Sequence, residues 1–387
     1  MSHTTQVFEL PSRDGRACLR GQIDLPHADG ASRFAAVLIV NGGWFMERDG
    51  FMGTASGTDR DLVYRDLAGG LIAAGIAVIR YDNRGVKGNE RTMPAPPAGC
   101  SELETARHYL DACIDADVRQ SVSVRTQMDD VEQVWEFALQ HPQVDPQRLI
   151  VWAHSEGGLN VGRLVSAGRM TPLGIITVGT AASSPAALVR WTLVDRHAAH
   201  LMGWDDDADG RVTQDDIDRR YPGDTLFPVV GVSQASLTAP VDGWTRASAF
   251  DHFEKAYAAA RSAALAKPDD APYPDPEPDF RMVAASNHWW RQWFEDNQPQ
   301  IDHFASFGGQ VIIHLAGIDS QFSGPREKAF AEGRIDSGAF VRPPRLIYHP
   351  ARGHSLRTGE PASGPMDDAA RTQMIEEVQE ILRGHPL

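Results

Sequence analysis

A serine stands where an apolar stretch gives way to glycines. Residues 149–158 have the sequence LIVWAHSEGG, and a helical pattern begins behind the two glycines. This pattern is typical of a buried strand that turns sharply into a helix, and such a turn lifts a side-chain hydroxyl above the edge of the sheet. Ser155 is therefore a candidate nucleophile.

A serine hydroxyl attacks efficiently only beside a base, usually a histidine that a carboxylate orients. Later strands supply both groups. Asp319 comes shortly after the apolar run Val311–Leu315, and His354 lies in the loop that follows Arg345–His349. The chain order Ser155, Asp319, His354 is the order that a sheet of this topology requires. The sequence thus predicts a Ser-His-Asp triad.

A reacting carbonyl also needs hydrogen-bond donors for the negative charge that develops on its oxygen. In this geometry, one donor is the main-chain N–H after the nucleophile, here Glu156. The other comes from the loop after the third strand, which has the sequence Asn41-Gly42-Gly43. Glycine allows close backbone approach, so Gly43 is the predicted second donor.

Apolar strands alternate with helical patterns along most of the chain, which predicts an α/β fold with a mostly parallel central sheet flanked by helices. The alternation of strands and helices is absent between residues 184 and 298 and continues after them. We therefore expect residues 1–183 and 299–387 to form one sheet domain, and 184–298 to form a helix-rich cap insertion. Predicted strands cover residues 7–10, 18–25, 35–40, 76–81, 149–153, 173–178, 310–315 and 345–349.

An acidic loop at 205–216 lies within the insertion and fits the calcium loop of an EF-hand. Its oxygen ligands would be the carboxylates of Asp205, Asp207, Asp209 and Asp216 together with the Arg211 carbonyl. Asp216 replaces the usual glutamate and is one methylene shorter, so Mg²⁺ is an alternative ion. A single unpaired loop predicts a structural Ca²⁺ and not a calcium sensor. No organic cofactor is predicted.

Charge and composition limit the classes of partner that this chain is expected to bind. Its net charge of −15 over 387 residues disfavours nucleic acid, whose phosphates require a basic surface. The longest apolar runs fall short of the roughly 18 residues of a membrane span, so no membrane partner is expected. The first residues lack a signal-peptide pattern and the three cysteines are widely spaced, which together favour the cytoplasm. The oligomeric state stays open.

Four separated segments give the sequence a specific resemblance. These are Asn41–Gly43 with Arg48-Asp49-Gly50, the stretch 80–85 (RYDNRG), Ala153–Gly157, and Asp319 with Gly353-His354. The sequence resembles an α/β-hydrolase of the capped esterase, dienelactone-hydrolase-like and serine-aminopeptidase-like kind. Two positions depart from the family pattern: Ala153 replaces the first glycine of G-x-S-x-G, and Asn41-Gly42 replaces the usual His-Gly.

These residues predict a serine hydrolase that cleaves a small-molecule carboxylic ester through an acyl-enzyme. A thioesterase, an acyltransferase or a peptidase of the same fold would use the same residues, so these alternatives stay open. An alternative from a different class is a non-catalytic, calcium-bound binding or scaffold protein. That alternative predicts that at least one residue of the triad is missing, whereas Ser155, Asp319 and His354 are all present.

Overall fold

The computed structural model describes residues 3–27, 33–43, 46–51, 57–89, 91–100, 108, 111–224, 226–227, 232–268, 286–358 and 364–384. The chain divides into two compact units. The first, here called the sheet unit, comprises Met1–Ser184 and Gln298–Leu387. The second, here called the helical unit, comprises Pro185–Asn297.

Eight strands overlap the eight predicted positions, and two further short strands lie in the helical unit, where none was predicted. They are β1 (His3–Pro11), β2 (Cys18–Pro26), β3 (Phe34–Val40), β4 (Ala77–Tyr81), β5 (Val144–His154), β6 (Gly174–Val178), β7 (Arg211–Val212), β8 (Trp244–Thr245), β9 (Gln310–Ala316) and β10 (Arg345–His349). The strand before Ser155 begins earlier than expected, at Val144, because the chain pairs with Phe34 of β3 ahead of the apolar run.

The α-helices of the described residues alternate with these strands in the sheet unit and follow one another in the helical unit. They are α1 (Val63–Ala73), α2 (Ala116–Arg119), α3 (Val124–Gln140), α4 (Glu156–Ser166), α5 (Pro185–Arg190), α6 (Arg196–Met202), α7 (Gln214–Arg220), α8 (Arg246–Ala266), α9 (Asn287–Glu295), α10 (Gly324–Asp336) and α11 (Asp368–Arg383). One π-helical turn, Trp191–Asp195, joins α5 to α6.

The central sheet has eight strands in the order β1-β2-β4-β3-β5-β6-β9-β10. The strands from β4 to β10 in this order run parallel, and β2 runs antiparallel to both of its neighbours. The expectation of a mostly parallel α/β sheet flanked by helices is therefore confirmed. Parallel strands end at one edge, so the loops after β3, β5, β9 and β10 all leave the sheet on the same side.

The middle of the sheet is buried on both faces, as its unbroken apolar sequence predicts. Every residue of β4 and β6 is buried, and β9 is buried from Val311 onward. Helices α1 and α11 cover one face with Leu67, Leu71 and Met374, which pack against strand residues such as Trp152. This core provides the rigid support for the loops at the carboxyl edge.

The helical unit has a core of its own. Leu201, Trp204, Phe227 and Phe253 are among the buried residues that pack together there. Its strands β7 and β8 form a separate antiparallel pair. No helix among the described residues is both long enough and apolar enough to cross a membrane.

Candidate active site

Ser155 occupies a strained turn between β5 and α4. Its backbone has φ 50° and ψ −124°, a conformation that non-glycine residues rarely adopt. The Ser155 N–H donates to the Val178 carbonyl at 2.8 Å, and the Ser155 carbonyl accepts from Thr180 Oγ1 at 2.9 Å. Both partners lie on or just after β6, so the neighbouring strand holds the turn in place. Strain of this kind is concentrated at functional sites.

The glycines behind Ser155 are required by close packing. A Cβ on Gly157 would lie 2.3 Å from the Asn41 carbonyl oxygen, and one on Gly158 would lie 2.1 Å from Thr180 Oγ1. Ala153, the departure from the family pattern, lies within β5, where it is fully buried and paired with Val40 and Thr177. Its methyl group therefore fits the strand.

His354 and Asp319 form a close pair. His354 Nδ1 lies 2.9 Å and 2.8 Å from the two carboxylate oxygens of Asp319. Asp319 is buried, whereas the His354 side chain keeps some exposure. A carboxylate at Nδ1 favours the tautomer whose proton is on that nitrogen, which leaves Nε2 free to accept a proton.

The loops that carry these two side chains run together. The Gly317 N–H donates to the His349 carbonyl at 2.8 Å, and the Ile318 N–H donates to the Arg352 carbonyl at 3.1 Å. Gly317 must be glycine, since a Cβ there would lie 2.3 Å from the Pro350 carbonyl oxygen. The loops after β9 and β10 thus fix the His354–Asp319 pair through main-chain contacts.

The turn of Ser155 and the His354 loop meet at Gly179, the residue after β6. A Cβ on Gly179 would lie 2.5 Å from the His354 carbonyl oxygen and 3.1 Å from its imidazole ring. Within the described part of the chain, no hydrogen bond joins the Ser155 hydroxyl to His354. Such bonds are often long before substrate binds. The structure therefore pairs His354 with Asp319 and brings their loop to the turn that holds Ser155.

The predicted oxyanion loop lies against the same turn. A Cβ on Gly42 would be 2.9 Å from His154 Nδ1 and 3.3 Å from Ser155 Cβ, so this loop must lack a side chain there. Asn83 Nδ2 donates to the Gly42 carbonyl at 2.6 Å, and Asn41 Nδ2 donates to the Tyr81 carbonyl at 2.6 Å. Asn41, the second departure from the family pattern, thus anchors the loop to β4.

Glu156 has a buried side chain as well as the predicted main-chain donor. Its Oε2 lies 2.1 Å from where a Cβ on Gly43 would be, so the carboxylate rests on the Gly43 backbone. Arg119 is buried nearby. Burial lowers the pKa of Arg119 to about 10, and the negative charge of Glu156 partly offsets that effect.

His154 is a buried residue of this site that the sequence analysis did not identify. Its Nδ1 lies 2.9 Å from the Tyr64 hydroxyl, and its Nε2 lies 3.1 Å from Ser355 Oγ. Its ring is edge-on to that of His354, with centroids 5.0 Å apart. Burial, assisted by the neighbouring His354 and Arg357, holds the pKa of His154 well below its usual range. His154 is therefore neutral at pH 7.

The acidic loop of the helical unit brings three predicted ligands together. Side-chain oxygens of Asp205, Asp207 and Asp209 lie within 4.8 Å of one another. Asp216 Oδ2 accepts from the Thr213 N–H at 2.9 Å, and its Oδ1 pairs with Arg219 at 2.6 Å. The carboxylates fit a hard divalent cation. The predicted closing ligand, Asp216, caps α7 and would have to release Arg219 in order to bind the ion.

The short strand within this loop has a partner strand elsewhere in the helical unit. Val212 of β7 pairs with Trp244 of β8. A glycine with positive φ lies directly before each strand. The φ of Gly210 is 85°, and the φ of Gly243 is 76°. A threonine capping box starts a helix at the end of each strand, with Thr213 directly after β7 and Thr245 as the last residue of β8. The loop before β8 (residues 238–242, TAPVD) is likewise followed by a glycine, a short strand and a helix, but it carries only one acidic residue.

Comparisons with known proteins give structural matches alone. No family model matches the chain, and no curated protein matches its sequence. Among solved structures, the chain is similar to the α/β hydrolase GrgF from Penicillium sp. sh18, with 12% identity, a TM-score of 0.48 and 99% of both chains covered. It is also similar to Est1E from Butyrivibrio proteoclasticus (13% identity, TM-score 0.47, 98% of both chains).

A third similar structure is carboxyl esterase 2 (TmelEST2) from the fungus Tuber melanosporum. The identity is 15% and the TM-score 0.48, with 99% of this chain and 88% of that chain covered. Identities this low assign no residue of this chain by correspondence. The roles of Ser155, Asp319 and His354 therefore have to be argued from their own geometry.

Proposed function

We propose that this protein is a serine hydrolase that cleaves a small-molecule carboxylic ester through an acyl-enzyme. One observation carries the proposal. A serine on a strained strand-to-helix turn lies at the same sheet edge as a histidine whose Nδ1 is 2.8 Å from a buried aspartate. A structural role for Ser155 would not require a backbone conformation that costs about 1–3 kcal/mol.

In this proposal Ser155 Oγ attacks the ester carbonyl carbon while His354 Nε2 takes the hydroxyl proton. Asp319 stabilises the imidazolium that forms. The Gly43 and Glu156 N–H groups donate to the developing oxyanion. His354 then gives the proton to the leaving alcohol, and a water molecule, deprotonated by His354, releases the acid from Ser155.

Thioester hydrolysis, amide hydrolysis and acyl transfer would use the same groups, so substrate must be determined by experiment. We would assay p-nitrophenyl esters of increasing acyl length beside thioesters and peptide amides. The proposal predicts ester turnover with a burst of p-nitrophenolate if deacylation is slow. Turnover should fall by about 10⁶-fold in Ser155→Ala.

The control is Ser12→Ala, which removes a buried hydroxyl from the turn between β1 and β2. It should keep its activity. A wild-type protein that hydrolyses none of these substrates would instead favour the non-catalytic scaffold.

We also propose that the loop at 205–216 binds a structural Ca²⁺. Asp205, Asp207 and Asp209 would supply side-chain oxygens, Arg211 its carbonyl, and Asp216 a carboxylate. Support comes from the proximity of the three aspartates, whose like charges repel unless a cation lies between them. Mg²⁺ is the alternative ion.

A further inference from the structure

Two hydroxyl groups approach the buried ring of His154 from opposite ends. The Tyr64 hydroxyl lies 2.9 Å from Nδ1, and the Ser355 hydroxyl lies 3.1 Å from Nε2. The Tyr64 oxygen also accepts a hydrogen bond from the Gly42 N–H, at 3.2 Å. Ser355 is the neighbour of His354 in the chain. A continuous path of hydrogen bonds thus links the oxyanion loop to the loop that holds the histidine of the proposed triad.

The direction of these bonds follows from counting protons. Tyr64 is fully buried and has a single O–H. Its oxygen accepts from Gly42, and His154 Nδ1 is the one acceptor within reach among the described residues. A buried hydroxyl proton is expected to be bonded, so Tyr64 donates to Nδ1. The neutral ring then carries its proton on Nε2 and donates it toward Ser355 Oγ.

We propose that His154 is a positioning residue that fixes the oxyanion loop and the His354 loop relative to each other through Tyr64 and Ser355. This inference rests on the proposed function, because it assigns these contacts a role in the same site. Tyr64 accepts from the Gly42 N–H, and Asn83 donates to the Gly42 carbonyl, which shares its peptide group with the Gly43 N–H, the proposed oxyanion donor. His154 itself touches neither the substrate nor the reacting atoms.

Catalysis is sensitive to small displacements of such donors. In His154→Phe the hydrogen bonds to Tyr64, to Ser355 and to the His354 main chain are lost. We expect kcat for the best ester to fall about 10- to 100-fold while KM changes little. His154→Asn keeps an acceptor near Nδ1, and His154→Gln keeps a donor near Nε2. Each should restore part of kcat, which a purely space-filling role would not explain.

A double-mutant cycle tests the path itself. Tyr64→Phe should lower kcat in the wild-type protein but have little further effect in His154→Phe, since the bond is already lost. Independent, multiplying effects of the two substitutions would overturn the inference. So would an unchanged kcat in a folded His154→Phe protein.

A second measurement does not depend on activity. ¹⁵N NMR of histidine-labelled protein reports which ring nitrogen carries the proton, and His154→Gln assigns the resonance by its loss. The inference predicts a neutral ring with the proton on Nε2, whereas a proton on Nδ1 would overturn it. If the wild-type protein hydrolyses no ester, the proposed function fails, and the NMR result still tests the hydrogen bonds.

Discussion

The site of the sheet unit and the acidic loop of the helical unit are built in opposite ways. Around Ser155, most polar groups are buried and several bonds join segments distant in the chain, as with Tyr64 and His154, which are 90 residues apart. In the loop at 205–216, the carboxylates are mostly exposed and bind main-chain groups of their own loop. The first arrangement is present in the fold itself, whereas we propose that the second gains order from an ion.

The difference in burial between the two sites determines how strongly a substitution or the removal of an ion is expected to act. A buried, pre-arranged polar group loses its function sharply when one partner is removed, because the remaining partner stays desolvated. Exposed carboxylates are solvated with or without an ion, so removal of the ion has a modest cost.

Asp319→Asn is expected to lower kcat about 10⁴-fold, because the amide no longer selects the Nδ1–H tautomer of His354. The fold should be retained, since the amide fills the same space. Ester hydrolysis followed by stopped-flow absorbance is the measurement. Asp336→Asn, at an exposed position at the end of α10, is the matched control and should leave kcat unchanged. A small effect at Asp319 would mean that His354 is oriented by another group.

Gly42→Ala is expected to lower kcat about 100-fold with little change in KM. The new Cβ would lie 2.9 Å from His154 Nδ1 and 3.3 Å from Ser155 Cβ, so the oxyanion loop must move away from the turn. Gly308→Ala, where a Cβ meets no atom within 4 Å, is the control. Equal activity of the two variants would contradict the placement of the oxyanion loop.

Acidification should destabilise the helical unit through His197. Burial first, and then the charges of Arg196 and His200, lower the pKa of His197 to about 3. The unfolded chain, with a histidine pKa near 6.5, takes up this proton at higher pH than the folded chain. The stabilisation is therefore complete above pH 6.5 and is lost as pH falls toward 3. Between pH 7 and pH 5 the loss amounts to about 2 kcal/mol.

Urea unfolding at pH 7 and pH 5 measures this loss. His197→Gln should reduce the difference between the two pH values by about that amount, while His27→Gln, at an exposed position, should not. An undiminished difference in His197→Gln would assign the acid sensitivity to other groups, such as His349, whose pKa burial and the neighbouring His314 lower to about 4.

Calcium is expected to have the smallest effect. At ten times its Kd, Ca²⁺ should stabilise the folded protein by about 1.4 kcal/mol, which thermal melts with and without chelator would detect. Asp205→Asn should abolish the shift. Asp215→Asn removes the same charge from a position that is not a predicted ligand, and should keep the shift. Identical melts of the wild-type protein with Ca²⁺ and with chelator would argue against the ion.

The sequence was sufficient to predict the sheet and the positions of Ser155, Asp319 and His354. Each of these residues follows a strand whose apolar character is plain, and parallel strands bring their ends to one edge. The same logic did not reveal Tyr64 or Ser355. Tyr64 lies in an amphipathic helix where its ring fits the core, and Ser355 meets His154 across 201 residues of chain.

The pairing of β7 with β8 was missed for a related reason. Each strand has two residues, too few for any periodic pattern, and the second loop lacks the acids that mark the first. Its glycine and its threonine cap were visible in the sequence. Only the pairing of β7 with β8 shows that this glycine and this threonine border a strand.

Labelling with a fluorophosphonate tests whether Ser155 is an activated nucleophile, because this reagent phosphonylates an activated serine hydroxyl. Intact-mass spectrometry should show one adduct, and peptide mapping should place it on Ser155. The adduct should be absent in Ser155→Ala and form far more slowly in Asp319→Asn. A wild-type protein that stays unlabelled, or an adduct on another residue, would contradict the account.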